Sequence, residues 1–139
     1  MIILLDAMGG DNAPNANIKG AVAAINQINA ELWLIGKEEV IKAKLKEFYN
    51  KTVEEISPRL KIYNATETIE MEDTPTLAIK HKKDSSMVVG FNLLKEGKGD
   101  VFISAGNSGA LLTGATLLVG RIKGCLLYTS PSPRDGLLS

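Results

Sequence analysis

The first hydrophobic run of the chain is uninterrupted, and a turn sequence follows it at once. Residues 2–5 are four consecutive aliphatic side chains, and Asp6 and the glycines Gly9 and Gly10 come next. A run without polar alternation is typical of a strand that is covered on both faces of a parallel sheet. Pro14 favours the first turn of a helix. We therefore predict a buried strand, a glycine loop and a helix, in this order.

Helical and strand periods then alternate through the first half of the chain. Apolar residues at helical spacing across residues 18–28 predict a core-facing helix. A near-continuous apolar run predicts a strand at Glu31–Gly36, and helical spacing returns in Lys37–Tyr49. After a polar break, Leu60–Asn64 has the composition of a third strand. Because strands and helices alternate, we expect a parallel sheet with right-handed crossovers.

Capping residues mark the elements of the second half. Thr74 and Pro75 are typical of the N-cap and first residue of a short helix, and Ser85 can cap the next helix. A fourth strand is expected at Val101–Ser104, and a further helix from about Ala110. The predicted fold class is therefore α/β.

The composition excludes several classes of protein. The 139 residues include 16 basic and 16 acidic side chains, and this zero net charge argues against a general nucleic-acid binder. Cys125 is the only cysteine, so the chain cannot form an internal disulfide or a cysteine zinc site. His81 is the only histidine, so we do not expect a metal site built from histidines. We expect no metal and no cofactor.

Neither a secretory signal nor a membrane span is predicted. No basic segment precedes Ile2, and the mostly apolar stretch Ala110–Val119 is shorter than the roughly 20 residues that a membrane helix needs. We expect a cytoplasmic protein.

The last 15 residues differ in character from the rest. The sequence CLLYTSPSPRDGLLS has no helical or strand period, and it resembles the translation of a sequencing-library adapter. We expect residues 1–124 to be the natural α/β part and residues 125–139 to be a non-native tail without regular structure.

Two loops of small residues are the strongest candidates for chemistry. DAMGGD at Asp6–Asp11 and SAGNSG at Ser104–Gly109 each follow a predicted strand. In a parallel sheet both would emerge at the same edge, where their amides and hydroxyls could converge on one anion. Neither loop has the dinucleotide pattern or the P-loop pattern, so a nucleotide is not the first expectation. The alternative is that the glycines only permit tight turns.

A run of basic residues, Lys80–Lys83, precedes the serines Ser85 and Ser86. It can be a solvated helix end that complements the helix dipole, the interpretation we favour for His81 and Lys82, or a positive rim for a phosphate or an acidic partner. Asp73 is expected to be a capping or loop group.

The joint pattern of motifs resembles a known family. DAMGGD followed by AP, then EDTPTLAIKHKKDSSM, SAGNSGALLTGA and GRIKG, is similar to bacterial phosphate acyltransferase, the acyl-carrier-protein:phosphate acyltransferase of phospholipid synthesis. The resemblance covers residues 1–124, roughly the first third of such an enzyme. It implies a three-layer αβα fold with a mainly parallel sheet, like isopropylmalate dehydrogenase and the phosphotransacetylases, here truncated.

The resemblance also implies an activity and partners. The reaction is the reversible transfer of a long-chain acyl group from acyl-carrier protein to inorganic phosphate, and the acyl phosphate passes to a membrane glycerol-3-phosphate acyltransferase. The family is expected to be homodimeric and cytoplasmic, with a peripheral position at the inner face of the membrane. Alternatives are a coenzyme A-dependent phosphate acetyltransferase-like enzyme and an inactive fragment of the acyltransferase.

Candidate site residues follow from the loops and the matched motifs. The expected catalytic residues are Asn107, Lys83, Asp6 and Asp11. The expected phosphate or substrate ligands are Gly9, Gly10, Lys80, Ser85, Ser86, Ser104, Gly106, Ser108 and Gly109. We expect the amides of Gly106–Gly109, with Asn107, to bind phosphate or the oxyanion. The two aspartates would orient the first loop or a lysine, and Lys83 or Lys80 would neutralise charge.

Overall fold

The computed structural model describes residues 1–119, and a four-stranded parallel sheet forms its centre. The strands are β1 (Ile2–Asp6), β2 (Glu31–Gly36), β3 (Leu60–Asn64) and β4 (Val101–Ile103), in the spatial order β3-β2-β1-β4. The helices are α1 (Asn15–Ile25), α2 (Glu38–Tyr49), α3 (Val53–Ile56), α4 (Pro75–His81), α5 (Ser86–Lys95) and α6 (Ser108–Gly114), followed by a π-helical turn (Ala115–Val119).

Helices cover both faces of the sheet, which confirms the predicted three-layer α/β fold. On one face Leu32 and Leu34 of β2 pack with Ile18 of α1 and Leu45 of α2. On the other face Ile35 of the same strand belongs to a separate apolar cluster with residues of α5. Successive residues of β2 thus point into opposite layers, as expected for a strand buried on both sides.

The sheet brings the two small-residue loops to one edge. Strands β1 and β4 pair in parallel, and Leu5 lies opposite Ile103. The residues that follow Leu5 and Ile103 in the sequence are Asp6 and Ser104, and both therefore lie at the carboxyl edge of the sheet. The prediction that the two loops emerge at the same edge of the sheet is confirmed.

Several predicted boundaries are wrong by a few residues. Helix α1 ends at Ile25, because the backbone amides of both Gln27 and Ile28 turn back to the carbonyl of Ala24. Ile28 lies beyond the helix but still packs against the core. The residue Thr74 precedes α4 as predicted, although its side chain makes no capping hydrogen bond.

Two local hydrogen-bond patterns account for the other differences. Helix α3 was not predicted, and it begins with a capping box in which Thr52 and Glu55 exchange side chain to backbone hydrogen bonds. Helix α6 begins at Ser108, earlier than expected, because the side chain of Asn107 accepts a hydrogen bond from the amide of Ala110. The predicted boundary at residue 124 and the predicted tail lie outside the described residues.

Candidate active site

The two loops touch at their glycines. A Cβ atom added to Gly9 would lie 2.6 Å from Asp6 Oδ2 and 3.0 Å from the Cα of Gly106. Gly10 has a φ of +111°, and a Cβ there would lie 3.3 Å from the carbonyl oxygen of Ala105. Both positions require glycine, the first for lack of space and the second also for its backbone conformation. The first loop is therefore packed directly against the second.

The side chain of Asp6 lies at the centre of the candidate site and contacts the first loop, α5 and the second loop. Its side chain is only 1% exposed. Oδ1 accepts hydrogen bonds from Ser86 Oγ of α5 at 2.6 Å and from the amide of Met8 at 3.0 Å. Oδ2 accepts a hydrogen bond from Ser104 Oγ, after β4, at 2.8 Å. One carboxyl group thus joins the end of β1 to the start of α5 and to the second loop.

Burial dominates the electrostatics of this carboxyl group. It raises the pKa of Asp6 above its ordinary value, because the charged form loses its hydration. The hydrogen bonds to the carboxyl group lower the pKa, and they come from two hydroxyl groups and two backbone amides. All of these donors are uncharged. Both oxygens already accept hydrogen bonds from the protein, so the geometry suits Asp6 to hold the loops in place.

Ser104 extends this arrangement into the second loop. Its Oγ donates to Asp6 and accepts a hydrogen bond from the amide of Gly106 at 3.1 Å. Ser104 is buried, as is Gly106. The position of the second loop is therefore set by the carboxyl group at the end of the neighbouring strand.

Asn17 fixes the first loop from the other side, a role the sequence analysis missed. Its Nδ2 donates to the carbonyl oxygens of Asp6 and Gly9, both at 2.9 Å. Asn17 lies in the first turn of α1, directly after the glycine loop. An amide side chain there commonly reaches back to nearby backbone groups, and this is the sequence signal that could have identified it.

The side chain of Asn107 is used within the protein. Nδ2 lies within hydrogen-bond distance of three carbonyl oxygens, those of Glu70 at 3.1 Å, Met71 at 3.3 Å and Asp73 at 2.9 Å. Oδ1 caps α6. We call residues 70–73 the strap. To donate to an oxyanion, this amide would have to release part of the strap.

An ion pair between Asp73 and Lys82 also holds the strap. Asp73 Oδ2 accepts hydrogen bonds from Lys82 Nζ at 2.6 Å and from the amide of Glu70 at 2.8 Å. The hydrogen bond from Lys82 is the main reason that the pKa of Asp73 lies below its ordinary value. Lys82 also donates to the carbonyl oxygen of Thr68 at 2.8 Å. Asp73 is a loop group as predicted. Lys82 was expected to be a solvated helix end, but it bonds to Asp73 and to the carbonyl oxygen of Thr68.

The other predicted site residues lie around this centre. Ser85 is buried, and its Oγ accepts a hydrogen bond from the amide of Val88, so it caps α5 as predicted. A Cβ on Gly109 would lie 2.6 Å from the ring of Pro75. Ser108 and Asp11 are exposed and take no part in the Asp6 cluster. Lys80 and Lys83 are also exposed, and they line a groove beside α5.

Residues 1–119 contain neither a candidate metal site nor a candidate membrane span. No group of three or more histidine, cysteine, aspartate or glutamate side chains in this range is placed to hold a metal ion. No helix of the same range is both long and apolar enough to cross a membrane.

The fold and the paired loops place the chain among three-layer α/β proteins with a candidate site at the carboxyl edge of the sheet. Residues 1–131 match the family model described as "Fatty acid synthesis protein", and the chain belongs to this family. Relatives named phosphate acyltransferase include the protein of Acetivibrio thermocellus, which is 58% identical over 125 residues, covering 89% of the chain and 35% of the relative.

Other bacterial relatives carry the same name. The phosphate acyltransferase of Clostridioides difficile is 48% identical over 141 residues, covering 99% of the chain and 40% of the relative. That of Caldanaerobacter subterraneus is 49% identical over 125 residues, covering 89% of the chain and 35% of the relative. The chain therefore spans between 35% and 40% of the length of these curated relatives.

Proposed function

We propose that a protein with this chain as its first third transfers a long-chain fatty acyl group from acyl-carrier protein to inorganic phosphate. The product is acyl phosphate, which serves phospholipid synthesis. Family membership and the relatives named phosphate acyltransferase support this proposal. The observation that carries it at the level of the site is the Asp6 carboxyl group, which holds two glycine-containing loops side by side at one sheet edge.

Phosphate would lie against the backbone amides of the two loops. Gly9 and Gly10 of the first loop lie against Gly106 and Ala105 of the second loop, so the backbones of the two loops are close together. Loops of this kind can direct several N–H groups at an anion. Because Asp6 and Ser104 fix both loops before a ligand arrives, little reorganisation would be needed on binding.

The proposed reaction does not require the protein to supply a general base that activates phosphate. Phosphate dianion is a nucleophile at neutral pH, and one of its oxygens attacks the thioester carbonyl carbon to form a C–O bond. The tetrahedral oxyanion then collapses, the C–S bond breaks, and the carrier leaves as a thiolate that takes a proton. Holding the two reactants together can contribute up to about 7 to 11 kcal/mol, and each oriented oxyanion donor about 3 to 4 kcal/mol.

The remaining site residues receive supporting roles in this proposal. Lys83 and Lys80 would neutralise the charge of phosphate, with Ser85 and Ser86 setting the start of α5 beside them. Asn107 would shape the second loop by capping α6 and holding the strap, and it would donate to the oxyanion only by releasing a strap carbonyl.

Partners and location rest on the family resemblance. We propose acyl-carrier protein and inorganic phosphate as substrates, a membrane glycerol-3-phosphate acyltransferase as the consumer of the product, and a cytoplasmic homodimer that can lie at the inner face of the membrane. The alternative of an inactive fragment is favoured for the 139-residue chain alone by its exposed edge strand, where Val101 and Ile103 are 39% and 49% exposed.

The proposal is tested by assaying a complete enzyme that contains this chain with palmitoyl-acyl-carrier protein and phosphate. Formation of acyl phosphate, with acetyl-coenzyme A as a poor substrate, is the expected result. Activity with acetyl-coenzyme A alone would instead identify a phosphate acetyltransferase. The 139-residue chain, assayed in parallel, should be inactive.

A further inference from the structure

A groove opens beside the candidate site, between α4, α5 and the π-helical turn. Its volume is about 460 Å³, within the range of small-molecule pockets. Most of the surface that lines it is apolar, and two lysines contribute to it. The lining residues are Ile79, Lys80, Lys83, Val88, Asn92, Leu117 and Leu118.

One end of this groove lies near the Asp6 cluster. Lys83 is three residues before Ser86, whose hydroxyl group donates to Asp6, so the two Cα atoms are at most about 11 Å apart. Val88 and Asn92 are four residues apart on α5 and lie on the same side of the helix. The groove therefore begins with its lysines near the start of α5 and continues along that helix away from the site.

We propose that this groove binds the acyl chain of the substrate, with Lys80 and Lys83 facing phosphate at the reacting end. This inference rests on the proposed function. The acyl chain is a long apolar tail, and the phosphate that attacks its thioester carbonyl carbon supplies the negative charge at the reacting end, so the groove has the complementary arrangement. Lysine stems can cover apolar surface while their ammonium groups stay in water beside the anion.

Exposed apolar surface inside the groove supports this assignment. Leu117 is 58% exposed and lines the groove together with Leu118, while Ile79 and Val88 form its buried floor. An acyl chain would remove this surface from water. Since each buried methylene group contributes a similar increment, affinity should rise about fourfold per carbon that enters the groove.

A matched pair of leucines allows a sharp test in the complete enzyme. Leu117→Glu places a carboxylate in the groove, whereas Leu77→Glu places one on α4 at a residue that is 54% exposed and outside the lining. We expect Leu117→Glu to raise the KM for palmitoyl-acyl-carrier protein about tenfold. The KM for the butyryl form should change less than about twofold. Leu77→Glu should leave both unchanged.

Direct binding gives a readout that does not depend on turnover. Palmitate is the probe, titrated calorimetrically into the wild type and both variants, and only Leu117→Glu should weaken it. The inference is overturned if the wild type transfers palmitoyl groups but Leu117→Glu affects palmitoyl and butyryl substrates equally. It is also overturned if palmitate does not bind and Leu117→Glu lowers the melting temperature, because another part of the protein then covers the groove. Absence of acyl transfer by the wild type would instead refute the proposed function.

Discussion

Ser104 should control phosphate binding more strongly than Ser86, although both donate to the same carboxyl group. Ser104→Ala removes the 2.8 Å hydrogen bond to Asp6 and the 3.1 Å hydrogen bond from the amide of Gly106. Ser86→Ala removes only the 2.6 Å hydrogen bond to Asp6, whose Oδ1 keeps the amide of Met8. The two variants thus remove the same chemical group from one carboxylate, and only the hydroxyl group of Ser104 also holds a backbone amide of the second loop.

The magnitudes follow from the number of buried groups left without a partner. Each such group costs about 1 to 3 kcal/mol, so Ser104→Ala should lower the free energy of unfolding by about 2 to 6 kcal/mol. Ser86→Ala leaves no buried group without a partner, because Oδ1 keeps the amide of Met8, and should cost about 0.5 to 1.5 kcal/mol, the net contribution of one hydrogen bond. If the second loop shifts, the KM for phosphate in the complete enzyme should rise about 10- to 100-fold for Ser104→Ala, which corresponds to about 1.4 to 2.7 kcal/mol.

The assay is acyl phosphate formation at varied phosphate concentration, with urea unfolding of both variants as the control for folding. For Ser86→Ala we expect a rise in the phosphate KM of less than about threefold. A folded Ser104→Ala variant with an unchanged phosphate KM would refute the inference that the carboxyl group positions the second loop. Equal increases in the two variants would refute it as well, because the contact with Gly106 would then have no consequence.

Three further perturbations test other parts of the site. Gly9→Ala should lower kcat/KM more than about 100-fold, because its Cβ would lie 2.6 Å from Asp6 Oδ2, whereas Gly20→Ala, with open space around it, should be active and slightly more stable. In the wild-type protein the pKa of Asp6 is raised above its ordinary value of 3.8, so protonation of Asp6 stabilises the folded state at pH values below 3.8. This contribution to the free energy of unfolding is lost as the pH rises through the pKa of the folded state. Asp6→Asn should therefore flatten the pH dependence of unfolding by urea, and an unchanged profile would contradict this. Lys82→Gln should speed hydrogen exchange in the strap and Lys82→Arg should restore protection, since Asp73 then regains an ionic partner; equal exchange in both variants would argue against the ion pair.

The sequence was sufficient to predict the sheet and the convergence of its loops. Strands β2 and β3 have the predicted bounds, and β1 extends one residue beyond its apolar run, to Asp6. The signals were the apolar runs of β1 and β2, which end at a polar or glycine residue, and the strand-like composition of β3. The meeting of Asp6 and Ser104 then follows from parallel pairing, without any knowledge of side chains. Ser85 was identified as a cap from its position before an apolar stripe.

The interactions that were missed depend on the three-dimensional path of the chain. Helix α3 is four residues long, which is too short for a periodic pattern, and its capping box is the only feature of the sequence that indicates it. The partners of Asn107 lie 34 to 37 residues earlier in the sequence, so nothing in SAGNSG indicates that its amide would hold the strap. Likewise, the salt bridge from Lys82 to Asp73 requires the strap to fold back over α4.

The Asp6 cluster shows why a carboxylate is kept in a place where its burial is costly. Each of its two oxygens accepts a hydrogen bond from a hydroxyl group, Oδ1 from Ser86 of α5 and Oδ2 from Ser104 at the end of β4. An amide side chain in this place would present one acceptor oxygen, and its NH₂ group would take the place of the other. The raised pKa of Asp6 is the electrostatic consequence of that position. Because the same residue begins the first loop and fixes the second, a change in either hydroxyl contact alters the spacing between the loops, and we expect phosphate affinity to depend on this spacing.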